Sequence, residues 1–298
     1  MKSEIVRDEP YTGTELLYSG HVGCPGCGAT VGMKLALRAL GEHTIVVIPA
    51  SCWAIISGNY PQSALKVPVI HTAFATTGAV ASGLRAALDM RGDKETNILG
   101  WAGDGGTFDI GFQALSAAAE RGEDFIYVCY DNEAYMNTGV QRSSSTPYGA
   151  RTMTTPLGQW KRQQKKNIVE IMAAHRIPYA ATASIAYPAD FERKLQTAAS
   201  IRSGLRFIHL FSSCPTGWGF APENSIKIAR LAVQTNAFPL YEVRDGIDYT
   251  INETGDKPVR DYLKTQNRFR HLGDAEIGSI QDRVDFELER LRKRAAEG

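Results

Sequence analysis

One stretch constrains the fold of this chain more than any other. Asn97 to Trp101 (NILGW) is followed by Gly103-Asp104-Gly105-Gly106. A run from Thr107 to Gly122 then sets Phe108, Phe112, Leu115 and Ala119 near helical spacing. A short buried strand, a glycine turn and a helix place Asp104 at the carboxyl end of a parallel strand, where open α/β sheets bind ligands. Glycines let the backbone approach a phosphate closely, and a helix amino terminus favours its negative charge. The turn does not fit the dinucleotide pattern GxGxxG, because Phe108 stands where the third glycine belongs.

A second strand, Asp124 to Tyr130 (DFIYVCY), leads into Asp131-Asn132-Glu133-Ala134-Tyr135. Mg²⁺ takes near-octahedral oxygens, usually one or two carboxylates with substrate phosphates. Asp104 offers a carboxylate, Asn132 an amide oxygen, and the next loop a backbone carbonyl. Alone, the GDG triplet reads as a tight turn with a capping Asp; with an Asn after the next strand at this separation, it resembles the thiamine diphosphate signature.

The remaining pattern alternates strands and helices. Thr44 to Pro49 and Arg206 to Phe211 read as further strands. Thr30 to Leu40, Gly78 to Asp89, Asp109 to Arg121 and Lys166 to His175 read as helices. This predicts an α/β protein with a mainly parallel sheet and helices on both faces. Leu240 to Arg244 and Ile247 to Ile251 flank Asp245-Gly246, a hairpin signal. Asp274 to Ala296 reads as a charged terminal helix. No repeat or low-complexity linker breaks the 298 residues, so one domain over 1–298 is expected, with a carboxy-terminal extension over 220–298.

The five cysteines stand at 24, 27, 52, 129 and 214. An odd, sparse set does not suggest a disulfide framework. Cys129, inside the apolar run IYVCY, reads as a small core residue. The other four lie in loop-like contexts, GHVGCPGCGAT, PASCWA and FSSCPTGWG. CxxC puts two thiolates on one turn, and the distant single cysteines ask for a ligand set assembled by the fold. Four thiolates suit Zn²⁺ or a [4Fe–4S] cluster, and spacing leaves both open.

A net charge of +1 gives no general basis for nucleic-acid binding. Apolar runs such as Ile45 to Pro49 are too short to span a bilayer. MKSEIVRDEP lacks the apolar core of a signal peptide, so a cytoplasmic location is expected. The basic run Trp160 to Lys166 (WKRQQKK) reads as a solvated helix start, or as a docking patch for an acidic electron acceptor. His209 reads as a satisfied core group and His21 as a group that could hydrogen-bond near the CPGC loop. His71 opens a glycine-rich segment, and none of the three is assigned as a base.

The segments GHVGCPGCG, HTAFATTG, GDGGTFDIGF, NEAYMNTGVQRSSSTPYGA, SCPTGW and PVRDYLKTQNRFRHL run through nearly the whole chain. Together they resemble the β subunit of 2-oxoacid:ferredoxin oxidoreductases, the family that includes pyruvate:ferredoxin oxidoreductase. The resemblance implies a thiamine diphosphate-binding fold with cluster-binding loops within 1–60. It implies Asp104, Asn132 and the Ala134 carbonyl as Mg²⁺ ligands, with Gly105, Gly106 and Thr138 at the diphosphate. It places Asn137 beside the thiazolium and the substrate. Cys24, Cys27, Cys52 and Cys214 match the ligands of a proximal [4Fe–4S] cluster. The implied reaction is oxidative decarboxylation of a 2-oxo acid, with coenzyme A taking the acyl group and ferredoxin the electrons. Pyruvate is the first expectation; 2-oxoglutarate, branched-chain and aryl 2-oxo acids and oxalate stay open.

The resemblance also implies partners. Thiamine chemistry needs a glutamate to activate the aminopyrimidine, which this family carries on an α subunit. A ferredoxin-like subunit with further clusters is expected too. Two other readings remain at this point. A cluster-free thiamine-dependent decarboxylase or carboligase would keep full activity without the cysteines. A zinc-stabilised structural subunit would hold zinc and bind no cofactor.

Overall fold

The computed structural model describes residues 15–297, so the amino-terminal segment read above for a targeting signal lies outside the described residues. The strands are β1 (Thr44–Pro49), β2 (Val69–Thr72), β3 (Asn97–Gly103), β4 (Ile126–Asp131), β5 (Tyr179–Ser184), β6 (Arg206–Phe211), β7 (Leu240–Arg244) and β8 (Asp248–Glu253). The helices are α1 (Gly28–Leu40), α2 (Cys52–Ile56), α3 (Thr77–Met90), α4 (Phe112–Glu120) and α5 (Ile168–Ala173). The chain continues with α6 (Pro188–Ser200), α7 (Pro215–Trp218), α8 (Ser225–Gln234), α9 (Val259–Leu263) and α10 (Asp274–Glu297).

The strands form one sheet in the order β2-β1-β3-β4-β6-β5-β7-β8. The first six are parallel, and β7 and β8 add an antiparallel hairpin to one edge. In β4 every residue is buried, as expected for a strand covered on both faces. Ile126, Val128 and Tyr130 point to one core, and Tyr127 and Cys129 to the other. The two cores lie on opposite sides of the sheet.

The strand order reverses at β1. The chain leaves β1 for β2 on one side, then crosses to β3 on the other. The crevice at the carboxyl ends of β1 and β3 is therefore the topological switch point, where open α/β sheets take ligands. Cys52 follows β1 and Asp104 follows β3. Asn132 and Cys214 follow β4 and β6, the next two strands in the sheet.

The expected helix over 109–121 is interrupted. A π-helical turn at Gly105–Asp109 precedes α4, which starts at Phe112. A Cβ on Gly111 would meet the Gly106 carbonyl at 2.0 Å, so the chain closes on itself where the two segments join. π-turns of this kind concentrate at functional sites. The basic run is corrected more sharply. Residues 160–167 precede α5 as a loop, and Lys161 and Lys165 point inward. Arg162 and Lys166 stay exposed, so only part of the run is solvated. The sequence reading passed over β2, β5, α6, α8 and α9. In β5, YAATAS, small alanines fill a strand buried at every position.

Candidate functional site

Strand ends and helix starts bring the cysteine loops together. The Cys27 N–H bonds to the Cys24 carbonyl at 3.0 Å, closing the CPGC turn, and Cys27 caps α1. The Gly28 N–H bonds to Ser213 O at 3.1 Å, which sets this turn beside Cys214. Trp53 is fully buried and its indole N–H reaches Ala29 O at 3.2 Å, tying α2 and Cys52 to α1. Trp53 also meets Trp101 edge-on at 6.3 Å, and Trp101 stacks on Tyr130 at 5.5 Å. Such aromatic pairs contribute about 0.5–1.5 kcal/mol each beyond their burial. They fix the ends of β1, β3 and β4 against one another.

The thiols feel one another. Burial pushes Cys52 up to about 12, reinforced by negative charge on Cys214, Cys27 and Cys24. Burial likewise raises Cys214 to about 11, opposed by the Gly217 N–H and reinforced by Cys27 and Cys24. Cys27 is raised by burial, with the α1 backbone N–H groups working against it. Cys24 is exposed. Burial thus favours the neutral thiol at Cys27, Cys52 and Cys214, and holding them as thiolates together would need a compensating cation. Among the described residues, no three His, Cys, Asp or Glu side chains converge tightly enough to hold a single metal ion. Cys129 is apart from this group, fully buried in β4 with its thiol raised by burial.

A cavity of about 150 Å³ opens at the switch point. Its wall includes Asp104, Gly105, Gly106, Asn132, Ala134, Asn137 and Thr138, every residue predicted to bind the cofactor or its metal, together with Cys52. Asn137 and Thr138 are exposed at its mouth. One terminal atom of the Asn132 amide lies 3.1 Å from Asp104 Oδ1 and 2.9 Å from Ala134 O. With its nitrogen there, Asn132 donates to both. With its oxygen there, it faces two further oxygens with no hydrogen between them. Cis oxygens on an octahedral Mg²⁺ lie about 2.9 Å apart, given metal–oxygen distances of about 2.1 Å, and both separations from Asn132 are near that value.

Gly105 is required by a close approach. A Cβ there would meet the Tyr135 ring at 2.2 Å. Tyr135 is anchored by its hydroxyl, which donates to Asp109 Oδ2 at 2.7 Å.

The residues behind the cavity were not assigned from sequence. Ser143 donates to Asp104, and Ser145 to Asp131. Thr146 Oγ1 donates to Glu133 O at 2.7 Å. Lys165 Nζ lies 2.6 Å from Asp131 and 2.9 Å from Glu133, and Arg268 pairs with Glu133. The Arg268 guanidinium lies 3.9 Å above the Trp218 ring, and Trp218 donates to Asn132 O at 2.8 Å. Lys161 donates to Ser144 and Thr146 carbonyls. Glu133 adopts φ 65°, a left-handed turn costing about 1–3 kcal/mol, held by its two cationic partners. RSSST and the basic run were visible in sequence, but nothing there showed that they meet.

The two buried carboxylates diverge. Burial and the nearby Asp131 carboxylate push Asp104 well above the ordinary range. Burial also acts upward on Asp131, but Lys165 and His209 outweigh it and hold it well below that range. His209 is 2.7 Å from Asp131, the satisfied core group expected. His21 accepts from Gly23 N at 3.2 Å, and His71 lies 3.2 Å from Ser57. A larger cavity of about 760 Å³ lies beneath α10. It shares Glu133, Lys165 and His209 with the network behind Asp131, but none of the predicted cofactor residues.

The family described as thiamine pyrophosphate enzyme, C-terminal TPP binding domain, matches residues 41–210, which span all four parallel strands around the cavity. The fold is thus that of a thiamine pyrophosphate enzyme. Ketoisovalerate oxidoreductase subunit VorB of Pyrococcus furiosus is 53% identical over 293 residues, covering 94% of both chains. Pyruvate synthase subunit PorB of Methanothermobacter marburgensis is 51% identical over 282 residues, covering 93% of this chain and 98% of that one. The structure of a 2-oxoglutarate:ferredoxin oxidoreductase from Magnetococcus marinus shares the fold, with a TM-score of 0.59 and 24% identity over 72% of this chain and 70% of that one. This chain belongs to the β subunits of 2-oxoacid:ferredoxin oxidoreductases, enzymes that work as multi-subunit complexes. Among the described residues no helix is long and apolar enough to cross a membrane.

Proposed function

We propose that this subunit holds thiamine diphosphate through Mg²⁺ in the switch-point cavity and carries a [4Fe–4S] cluster on Cys24, Cys27, Cys52 and Cys214. The observation that carries the reading is one terminal atom of the Asn132 amide lying 3.1 Å from Asp104 Oδ1 and 2.9 Å from Ala134 O, in a cavity that also contains Cys52. When bound, thiamine diphosphate supplies the electron sink for decarboxylating a 2-oxo acid, and the cluster takes up electrons singly.

The chain's own residues do the rest. Asp104 and the Asn132 amide, with the Ala134 carbonyl, hold the metal. Gly105, Gly106 and Thr138 line the diphosphate, and Tyr135 lies against the turn. Asn137, exposed at the mouth, orients the substrate. Asp104 is buried and raised in the cation's absence, so Mg²⁺ binding stabilises its ionised form. The cysteine thiols respond to the cluster's positive charge in the same way. Exposed Cys24 marks the side from which electrons leave.

The substrate is a short aliphatic 2-oxo acid. Pyruvate is the first expectation from sequence, and relatives named as ketoisovalerate oxidoreductase and pyruvate synthase subunits support a substrate of this size. Coenzyme A accepts the acyl group and ferredoxin the electrons. An α subunit supplies the activating glutamate, and a ferredoxin-like subunit extends the electron path in the cytoplasm. Metal and cofactor analysis of the native complex tests the assignment. It predicts one thiamine diphosphate per copy of this chain, and four iron atoms per copy that disappear from a Cys24→Ala complex. A stoichiometric zinc content with no thiamine would overturn it.

A further inference from the structure

We propose that Met136 is a positioning residue that couples the cofactor cavity to Cys214 and keeps water from the cluster on that side; the inference rests on the cluster reading above. Met136 lines the cavity beside Ala134 and Asn137. It is also packed against the same core as Cys27, Cys52 and Cys214. The closest link runs through Gly217. A Cβ on Gly217 would lie 2.2 Å from Met136 Sδ, 2.4 Å from its Cε and 3.4 Å from Cys214 Sγ. No left-handed backbone angle demands glycine at 217. The Met136 thioether occupies the space a Cβ would take, so a side chain at 217 would displace it. The same Gly217 gives its N–H to Cys214 Sγ at 3.4 Å.

One residue thus donates to the cysteine sulfur and, by lacking a side chain, admits the methionine that borders the cofactor. Thioethers are polarisable and offer no hydrogen-bond donor, so Met136 fills the space between cavity and thiolate without hydrating it. Reduction adds negative charge to a thiolate-held cluster. Water reaching the sulfur stabilises that added charge, and potentials of such clusters follow hydrogen bonding and solvent exposure. Shortening Met136, or pushing it away with a Cβ at 217, therefore raises the potential.

The test is a redox titration of the native complex, following the cluster signal that Cys24→Ala removes. Met136→Ala and Gly217→Ala are each expected to shift its midpoint positive by at least about 59 mV, a tenfold change in a one-electron equilibrium. Met136→Leu, which keeps the apolar volume, should stay near wild type. In the double variant Gly217→Ala/Met136→Ala the added methyl meets an empty space. Because that methyl refills part of the space, its shift should fall short of the sum of the two single shifts. Unshifted midpoints with the cluster retained, or shifts that add, would overturn the coupling. If Met136→Ala fails to assemble, an unshifted Gly217→Ala overturns it alone. A Cys24→Ala complex that loses no signal would overturn the cluster reading itself, a distinguishable result.

Discussion

Ser143 donates its hydroxyl to Asp104 Oδ2 across 39 residues of chain, and both side chains are buried. This bond aims the carboxylate that we assign to Mg²⁺, because it occupies Oδ2 and leaves Oδ1 towards Asn132. A hydrogen bond to a charged group contributes about 1.5–3 kcal/mol. Ser143→Ala should therefore weaken thiamine diphosphate binding roughly tenfold to a hundredfold, measured by calorimetric titration of the cofactor-stripped complex. Unchanged affinity would show that Asp104 needs no such support.

Asp104→Ala should go further and abolish cofactor retention while iron stays bound. The cation would lose its only carboxylate among the three oxygens. Cofactor retained at wild-type stoichiometry would refute the Mg²⁺ assignment.

Cys129 offers a contrast among the cysteines. It is fully buried in β4 and faces the core opposite Tyr130. Cys129→Ser should cost about 1–3 kcal/mol if its hydroxyl goes unpaired, but leave the iron content intact. Cys52→Ala should lose iron. Iron analysis of the two complexes decides whether these are the right four thiols.

Lys165 compensates two buried carboxylates at once. Removing one partner of a buried ion pair costs about 3–5 kcal/mol. Lys165→Met should lower the melting temperature by that order of effect, and adding Asp131→Asn should recover part of it. A double variant no more stable than Lys165→Met would indicate that Glu133, not Asp131, is the carboxylate that suffers.

Asp109 predicts a pH dependence. Burial acts upward on it, but Ser144, Tyr135 and Lys166 outweigh this and hold it below the usual carboxylate range. A depressed folded pKa adds stability that is complete above the unfolded value near pH 4 and is lost as pH falls through the folded one. The melting-temperature gap between wild type and Asp109→Asn should be open at pH 6 and close below about pH 4. A gap independent of pH would remove Asp109 from the acid response.

The legible parts of the fold were those with strong local signatures. The apolar runs of β1, β3, β4 and β6 announced a covered parallel sheet, and Asp245-Gly246, both with positive φ, announced the hairpin. Asp104 and Asn132 were legible because each follows a strand. The alanine-rich β5 was not, since its burial rather than its composition makes it a strand. The network behind the site was hidden for a different reason. Lys165 and Arg268 look like surface cations in sequence, and only the fold turns them onto Asp131 and Glu133. Long-range pairing of this kind leaves no periodic trace.

The central claim is that this subunit joins thiamine chemistry to iron–sulfur electron transfer. Its most direct test is anaerobic viologen reduction by the native complex, across a panel of 2-oxo acids with and without coenzyme A. The account predicts coenzyme A-dependent reduction with pyruvate or 2-oxoisovalerate. A complex replete in iron and thiamine that reduces viologen with no 2-oxo acid would contradict it.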